Sequence, residues 1–168
     1  MAIEIERKFL LKNNAWRGLV HHQIRIVQAY LNDAKAVEAH REHCSVRVRI
    51  FGQDANLNIK SRELGAKRQE FEYPIPLADA ESLMALSCEG MIDKTRHLVQ
   101  YGAHLWEIDE FVGDNSGLIV AEIELSAENE HFALPEWVGI EVTQQLRYYN
   151  MALSARPYSA WLPEEKLC

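Results

Sequence analysis

At 168 residues, 48% hydrophobic and 26% charged, the chain is long enough for one compact domain spanning 1–168 and leaves little room for a second. Its net charge of -7 excludes general attraction to nucleic acid or an anionic membrane, so any polyanion must meet a local basic site. Cys44, Cys88 and Cys168 are odd in number and far apart, which excludes a disulfide framework or a paired zinc pattern; with charges at Glu4, Glu6, Arg7 and Lys8 and no membrane-length apolar run, the expected location is cytoplasmic.

Short alternating runs dominate, and each is bounded by turn formers. This pattern predicts strands over residues 2–11, 24–31, 45–51, 56–62, 69–75, 92–99, 104–111 and 119–126, with a ninth at 138–143. Phe51–Ala55 and Gly113–Gly117 supply the glycines and short polar side chains of tight connections. Helices are predicted over 13–22, over 78–89 with Asp79 as N-cap and Leu83, Met84 and Leu86 on one face, and over 144–156. The segment 33–44 reads as a charged connection or a short helix.

Residues two apart on a strand share a face, and here one face of each strand is ionised. Glu4, Glu6 and Lys8 oppose Ile3, Ile5 and Phe9; Arg47 and Arg49 oppose Val46, Val48 and Ile50; Lys60 and Arg62 oppose Leu57 and Ile59. Glu70 and Glu72, then Lys94 and Arg96, then Asp109, then Glu122 and Glu124 continue the set. Any single strand, taken alone, reads as the solvated side of an antiparallel sheet. Taken together the signs are sorted by strand, however, whereas a solvated face interleaves both signs with neutral polar groups.

A mostly β, α+β fold is therefore expected, in which eight antiparallel strands close into a barrel with apolar faces outward beneath the helices and charges lining a wet interior. Such a wall is tolerable only around a multiply charged ligand and its counter-ions. Clustered Arg and Lys suit a phosphate chain. Glu4, Glu6, Asp109, Glu122 and Glu124 are hard oxygen donors without His or Cys, which suits Mg²⁺ or Mn²⁺ better than zinc. Metal-assisted phosphoryl transfer is the reaction class that follows.

The run Glu4-Ile5-Glu6-Arg7-Lys8 resembles the E-x-E-x-K signature of the CYTH superfamily, the triphosphate tunnel metalloenzymes. Segments 25–31, 45–49, 58–61, 92–96, 106–109 and 121–125 resemble that family's later strands in order. The resemblance implies a closed eight-stranded tunnel, with Glu4, Glu6, Glu122, Glu124 and Asp109 on the metal side and Arg47, Arg49, Lys60, Arg62, Lys94 and Arg96 gripping phosphates. It further implies that Lys8 and Tyr30 activate the attacking water. For Lys8 to act as a base its pKa must fall, with neighbouring tunnel cations as the expected cause.

The implied activity is hydrolysis of inorganic triphosphate to pyrophosphate and phosphate, with a homodimer as the family's habit. Class IV adenylate cyclase, thiamine triphosphatase, nucleoside triphosphatase and a non-catalytic polyphosphate sensor remain alternatives on the same scaffold. Glu70 and Glu72 are expected to orient tunnel arginines rather than bind metal. Arg7 falls on the apolar side, where a surface ion pair is expected. His21, His22, His40 and His43 read as surface residues, and Trp16, Trp106, Trp137 and Trp161 as packing groups.

Overall fold

A computed structural model describes residues 2–39, 41–61, 66–87 and 89–166. Nine strands form it: β1 (Ala2–Leu11), β2 (Val20–Tyr30), β3 (Cys44–Phe51), β4 (Asp54–Ser61), β5 (Lys67–Pro74), β6 (Ile92–Tyr101), β7 (His104–Phe111), β8 (Ile119–Glu124) and β9 (Val138–Glu141). Three short helices accompany them: α1 (Ala34–Glu38), α2 (Leu77–Met84) and α3 (Asn150–Ala155).

The sheet order is β5-β4-β3-β2-β6-β7-β8-β1, and antiparallel pairing of β5 with β1 closes it into the expected eight-stranded barrel. The ten residues of β1 serve two neighbours on one edge. Ala2–Ile5 pair with β5, whereas Phe9 and Leu11 pair with β9 across an irregularity. A Cβ on Gly139 would lie 2.8 Å from the Leu10 carbonyl oxygen, so only glycine lets β9 approach this closely. Gly52, at φ 61, makes the anticipated β3–β4 turn.

The apolar faces point outward, and the largest hydrophobic core lies outside the barrel wall. There Ile5, Phe9, Trp106, Ile108, Ala121 and Ile123 are covered by Trp16, Trp137 and Phe132 rather than by long helices. The Trp106 ring sits 5.3 Å from Trp137 and 5.6 Å from Phe9, centroid to centroid. A second patch of wall, on β3 and β4, is covered by α2. Arg7 lies on this outer side, where its Nε donates to Glu141 at 2.9 Å.

Two helical expectations are corrected, and the one over 78–89 holds as α2, although it ends at Met84 and Asp79 is not its N-cap. The 13–22 segment forms only a 3₁₀ turn at Ala15–Leu19. Trp16 alone is buried there, so no apolar stripe sustains an α-helix, and β2 begins at Val20. α2 starts two residues ahead of Asp79, which sits in the first turn facing the helix dipole while Pro76 occupies the N-cap. The 144–156 segment divides at Tyr149, whose extended backbone separates a 3₁₀ turn at Leu146–Tyr148 from α3. α1 forms because the Asp33 carboxylate accepts from the Lys35 N–H at its first turn.

Candidate active site

The inward residues sort the lumen into two arcs, and the strand order sets which is which. β7, β8 and β1 are neighbours and contribute Glu107, Asp109, Glu122, Glu124, Glu4 and Glu6. β4, β3, β2 and β6 are also neighbours and contribute Lys60, Arg47, Arg49, Tyr30, Lys94 and Arg96. β5 mixes Arg68 with Glu70 and Glu72 where the arcs meet. A cavity of about 850 Å³ lies between the walls and is lined by residues of both, among them Glu4, Lys8, Arg49 and Glu122.

Towards one end the same inward stripes turn apolar. Leu10 follows Lys8, Phe111 follows Asp109, Ile92 precedes Lys94 and Val120 precedes Glu122. These four pack with Leu118, Val142, Tyr148, Leu153 and Trp161 into a buried plug.

Within the charged part, ion pairs hold the groups in place. Lys8 Nζ contacts Glu122 and lies 3.2 Å from Glu6. Glu4 accepts from Lys60 at 2.8 and 2.9 Å and lies 3.3 Å from Arg68. Arg96 is the most heavily engaged cation: it binds both Asp109 oxygens at 2.7 Å, Glu122 at 2.7 Å, and Glu107. Lys94 is fully buried against Asp109 and does not reach the cavity wall. By contrast Arg47 and Arg49 are held loosely, at 3.5 Å from Glu70 and 3.9 Å from Glu72. Those last contacts place Glu70 and Glu72 beside the tunnel arginines, with Glu70 also 3.1 Å from Lys60. Arg62 lies outside the described residues.

The electrostatics follow from burial and company. Desolvation, with Glu6 and Glu70 nearby, outweighs Lys60 and pushes the Glu4 carboxyl up to about 7. Burial also raises Glu124 and Glu107, whereas Lys8, Arg96 and Lys94 overcome burial and hold Glu122 well below the carboxylate range. Burial lowers Arg49 to about 10, aided by repulsion from Arg47 and Arg96. Burial also brings Lys94 down to about 8, with Asp109 opposing.

Lys8 corrects an expectation. Burial works against its charge, but Glu122 and Glu6 prevail and raise its pKa, because the groups nearest to it are carboxylates rather than cations. Tyr30 lines the cavity and is also raised, by burial, against the pull of Arg47.

Among the cavity-lining groups that sequence reasoning missed are Arg68, Glu107, Arg147 and Tyr149. Arg68 and Glu107 were legible, since each lies two residues before a charged inward residue on the same strand. Tyr149 carried no signal, because it enters from the segment after β9 and brings its ring 5.4 Å from Lys8 Nζ and 5.1 Å from Arg68.

Hard carboxylates crowded enough to raise one another suit a divalent cation, whose charge would relieve them. Among the described residues no three acidic, His or Cys side chains converge as a ready-made cage. Magnesium needs few protein ligands when phosphate and water complete its shell, so the donor set fits an ion that arrives with its polyanion.

A closed barrel with one acidic and one basic inner wall is a charged tunnel whose chemistry suits a polyanion. The CYTH domain model matches residues 2–158, and the chain belongs to that family. It is 39% identical over 159 residues to an inorganic triphosphatase of Acetivibrio thermocellus, covering 94% of this chain and 97% of that one. It is 33% identical over 154 residues to an inorganic triphosphatase of Nitrosomonas europaea, covering 90% and 96%. The crystal structure of the inorganic triphosphatase NE1496 superposes with a TM-score of 0.62 at 29% identity, over 97% of this chain and 98% of that one. A Hippeastrum protein described as a proposed adenylyl cyclase that reveals a dominant triphosphatase activity shares the fold alone, at 16% identity and a TM-score of 0.57 over 74% and 80% of the two chains.

Proposed function

We propose that this chain hydrolyses inorganic triphosphate to pyrophosphate and phosphate with Mg²⁺ or Mn²⁺ as cofactor. The observation that carries the reading is the divided lumen, in which loosely held Arg47 and Arg49 face crowded carboxylates across a cavity of about 850 Å³. The two inorganic triphosphatases that match over at least 90% of this chain support it.

Arg47, Arg49 and Lys60 bind the phosphate chain, with Arg68 at the junction of the arcs. Glu4, Glu6, Glu122 and Glu124 would hold the divalent ion, which when bound supplies neutralisation of phosphate charge. Arg96 and Lys94 hold Asp109, Glu107 and Glu122 in place through the ion pairs described. Water attacks the terminal phosphorus in line; its oxygen forms the new P–O bond while the bridging P–O bond breaks and its electron pair leaves on pyrophosphate. Tyr30 orients this water, and Lys8 in its neutral form takes up its one proton. Lys8 can do so only once the charges of Glu122 and Glu6 are compensated, so activity rises towards alkaline pH. A cytoplasmic location and a homodimer belong to the same reading.

One observation favours a second substrate class. Residues of α1, α3 and the turn before α3 also line the cavity, where Ala34, Val37, Leu146, Met151, Ala152 and Ala155 stand among Lys35, Asn150 and Arg156, a mixed surface that suits an organic group on a triphosphate. Phosphate release from tripolyphosphate, ATP, thiamine triphosphate and pyrophosphate, with and without Mg²⁺, separates these readings. Metal-dependent turnover fastest on tripolyphosphate is expected. Preference for an organic triphosphate selects the second class, cyclic AMP from ATP selects a cyclase, and tight binding without turnover leaves a sensor.

A further inference from the structure

Gln28 is a neutral member of the basic arc and, unlike Tyr30, has no role in the machinery above. It is fully buried on β2, two residues before Tyr30 on the same inward face. Both amide atoms of Gln28 lack a partner among the described residues, and so does the Nε of Arg49. Gln28 and Arg49 are direct partners across the β2–β3 ladder, which places their Cβ atoms about 4.5–5.5 Å apart.

The covalent lengths of these two side chains make the pairing informative. Glutamine Oε1 and arginine Nε are each the atom after Cδ, so from facing backbone positions they come to the same depth. One is an acceptor and the other a donor. Two buried orphans at matched depth on opposed residues are costly as they stand, and a small side-chain rotation joins them. Arg49 has little to hold it otherwise, its nearest carboxylate being Glu72 at 3.9 Å.

We infer that Gln28 is a positioning residue for polyphosphate binding: its Oε1 accepts the Arg49 Nε–H when an anion occupies the tunnel and so aims the guanidinium fork at a phosphate. Gln28 does not line the cavity and acts through Arg49. This inference rests on the polyphosphate reading above. It explains why an amide stands between Arg49 on β3 and the plug residue Ile92 on β6. A cation there would add to the repulsion already felt by Arg49, and an apolar side chain would leave the fork free to swing.

The test is a double-substitution cycle read by calorimetric binding of tripolyphosphate in metal-free buffer, together with KM and kcat in Mg²⁺. Gln28→Met keeps the length and removes the acceptor; Arg49→Lys keeps the charge and removes Nε. We expect Gln28→Met to weaken binding and raise KM about ten-fold, the scale of one lost charge-assisted hydrogen bond, with kcat little changed. In the Arg49→Lys background the same substitution should cost nothing, because its partner atom is gone. Gln28→Glu, which retains Oε1, should hold the fork but repel phosphate, leaving KM high. The Gln28→Met melting temperature should not fall, since an unpartnered buried amide has been removed.

Parent-like KM and affinity for Gln28→Met, or full additivity with Arg49→Lys, would overturn the inference while leaving the triphosphatase reading intact. A parent protein that neither binds nor hydrolyses tripolyphosphate would overturn both.

Discussion

Lys8 and Leu10 lie two residues apart on one face of β1, yet they belong to regions held together by opposite physics. Lys8 sits among Glu6, Glu122 and the ring of Tyr149, in a cluster whose members are satisfied only in combination. Leu10 sits in the plug with Ile92, Phe111, Val120 and Leu153, where the stabilisation is non-directional and scales with the area removed from water. One step of the strand repeat therefore separates a part of the lumen built for a charged visitor from a part that needs none. The plug anchors the strands so that the ionised wall can keep unfavourable neighbours, such as Glu4 beside Glu70, without collapsing.

This contrast can be broken from either side. The largest effect is expected at Lys8: Lys8→Met should lower kcat by about 10²–10⁴-fold, the usual range for a lost proton-transfer group, while melting stays cooperative. Unchanged kcat in a steady-state assay removes Lys8 from the chemistry. On the plug side, Leu153→Ala should cost about 2–5 kcal/mol of stability in urea titration, with KM for tripolyphosphate unchanged. A shift in KM there would mean that plug and charged wall are not independent.

A pH series sharpens the comparison next. Glu4, Glu107 and Glu124 have folded pKa values above the ordinary 4.5. Between 4.5 and about 7 the native state thus holds more protons than the unfolded chain, and its stability falls as pH rises through that window. Glu122 and Asp109 are lowered and act in the opposite sense, contributing stability above their ordinary values that is lost as pH falls through their folded ones. The metal-free melting temperature should therefore peak in the carboxylate range and decline by several degrees towards neutrality, and Mg²⁺ with tripolyphosphate should remove the decline. A flat metal-free profile would contradict the crowding of the acidic arc. The smallest effect is expected on the outside of the barrel, where Arg25→Ala breaks an ion pair with Asp93 whose arginine side chain is 69% exposed. Screening should hold that change within about 1 kcal/mol.

The barrel was legible because its alternation survives in every strand, and the sorting of signs by strand survives with it. What could not be read was decided by contacts distant in sequence. The segment around Tyr149 looked uniformly helical, but the residue is extended and its ring reaches the Lys8–Arg68 junction. Periodicity carries no record of such an entry. The pKa of Lys8 failed for a similar reason. Chain order does not reveal that Glu122 on β8 stands directly opposite it, a pairing that only the closed barrel makes. Arg96 was legible as a charge but not as the residue that ties Asp109, Glu107 and Glu122 together.

The divided edge of β1 has a consequence for how the chain matures. This strand precedes all its partners in the chain: Ala2–Ile5 wait for β5, and Glu6–Leu11 wait longer, for β8 and β9, before their ladders form. In the interval it is an unprotected ribbon with apolar residues along one side, open to pairing with another nascent copy. The alternating Glu4, Glu6 and Lys8 on its other side offer some defence, since charge discourages stacking between copies. The same side chains that later face the tunnel thereby act as gatekeepers during synthesis.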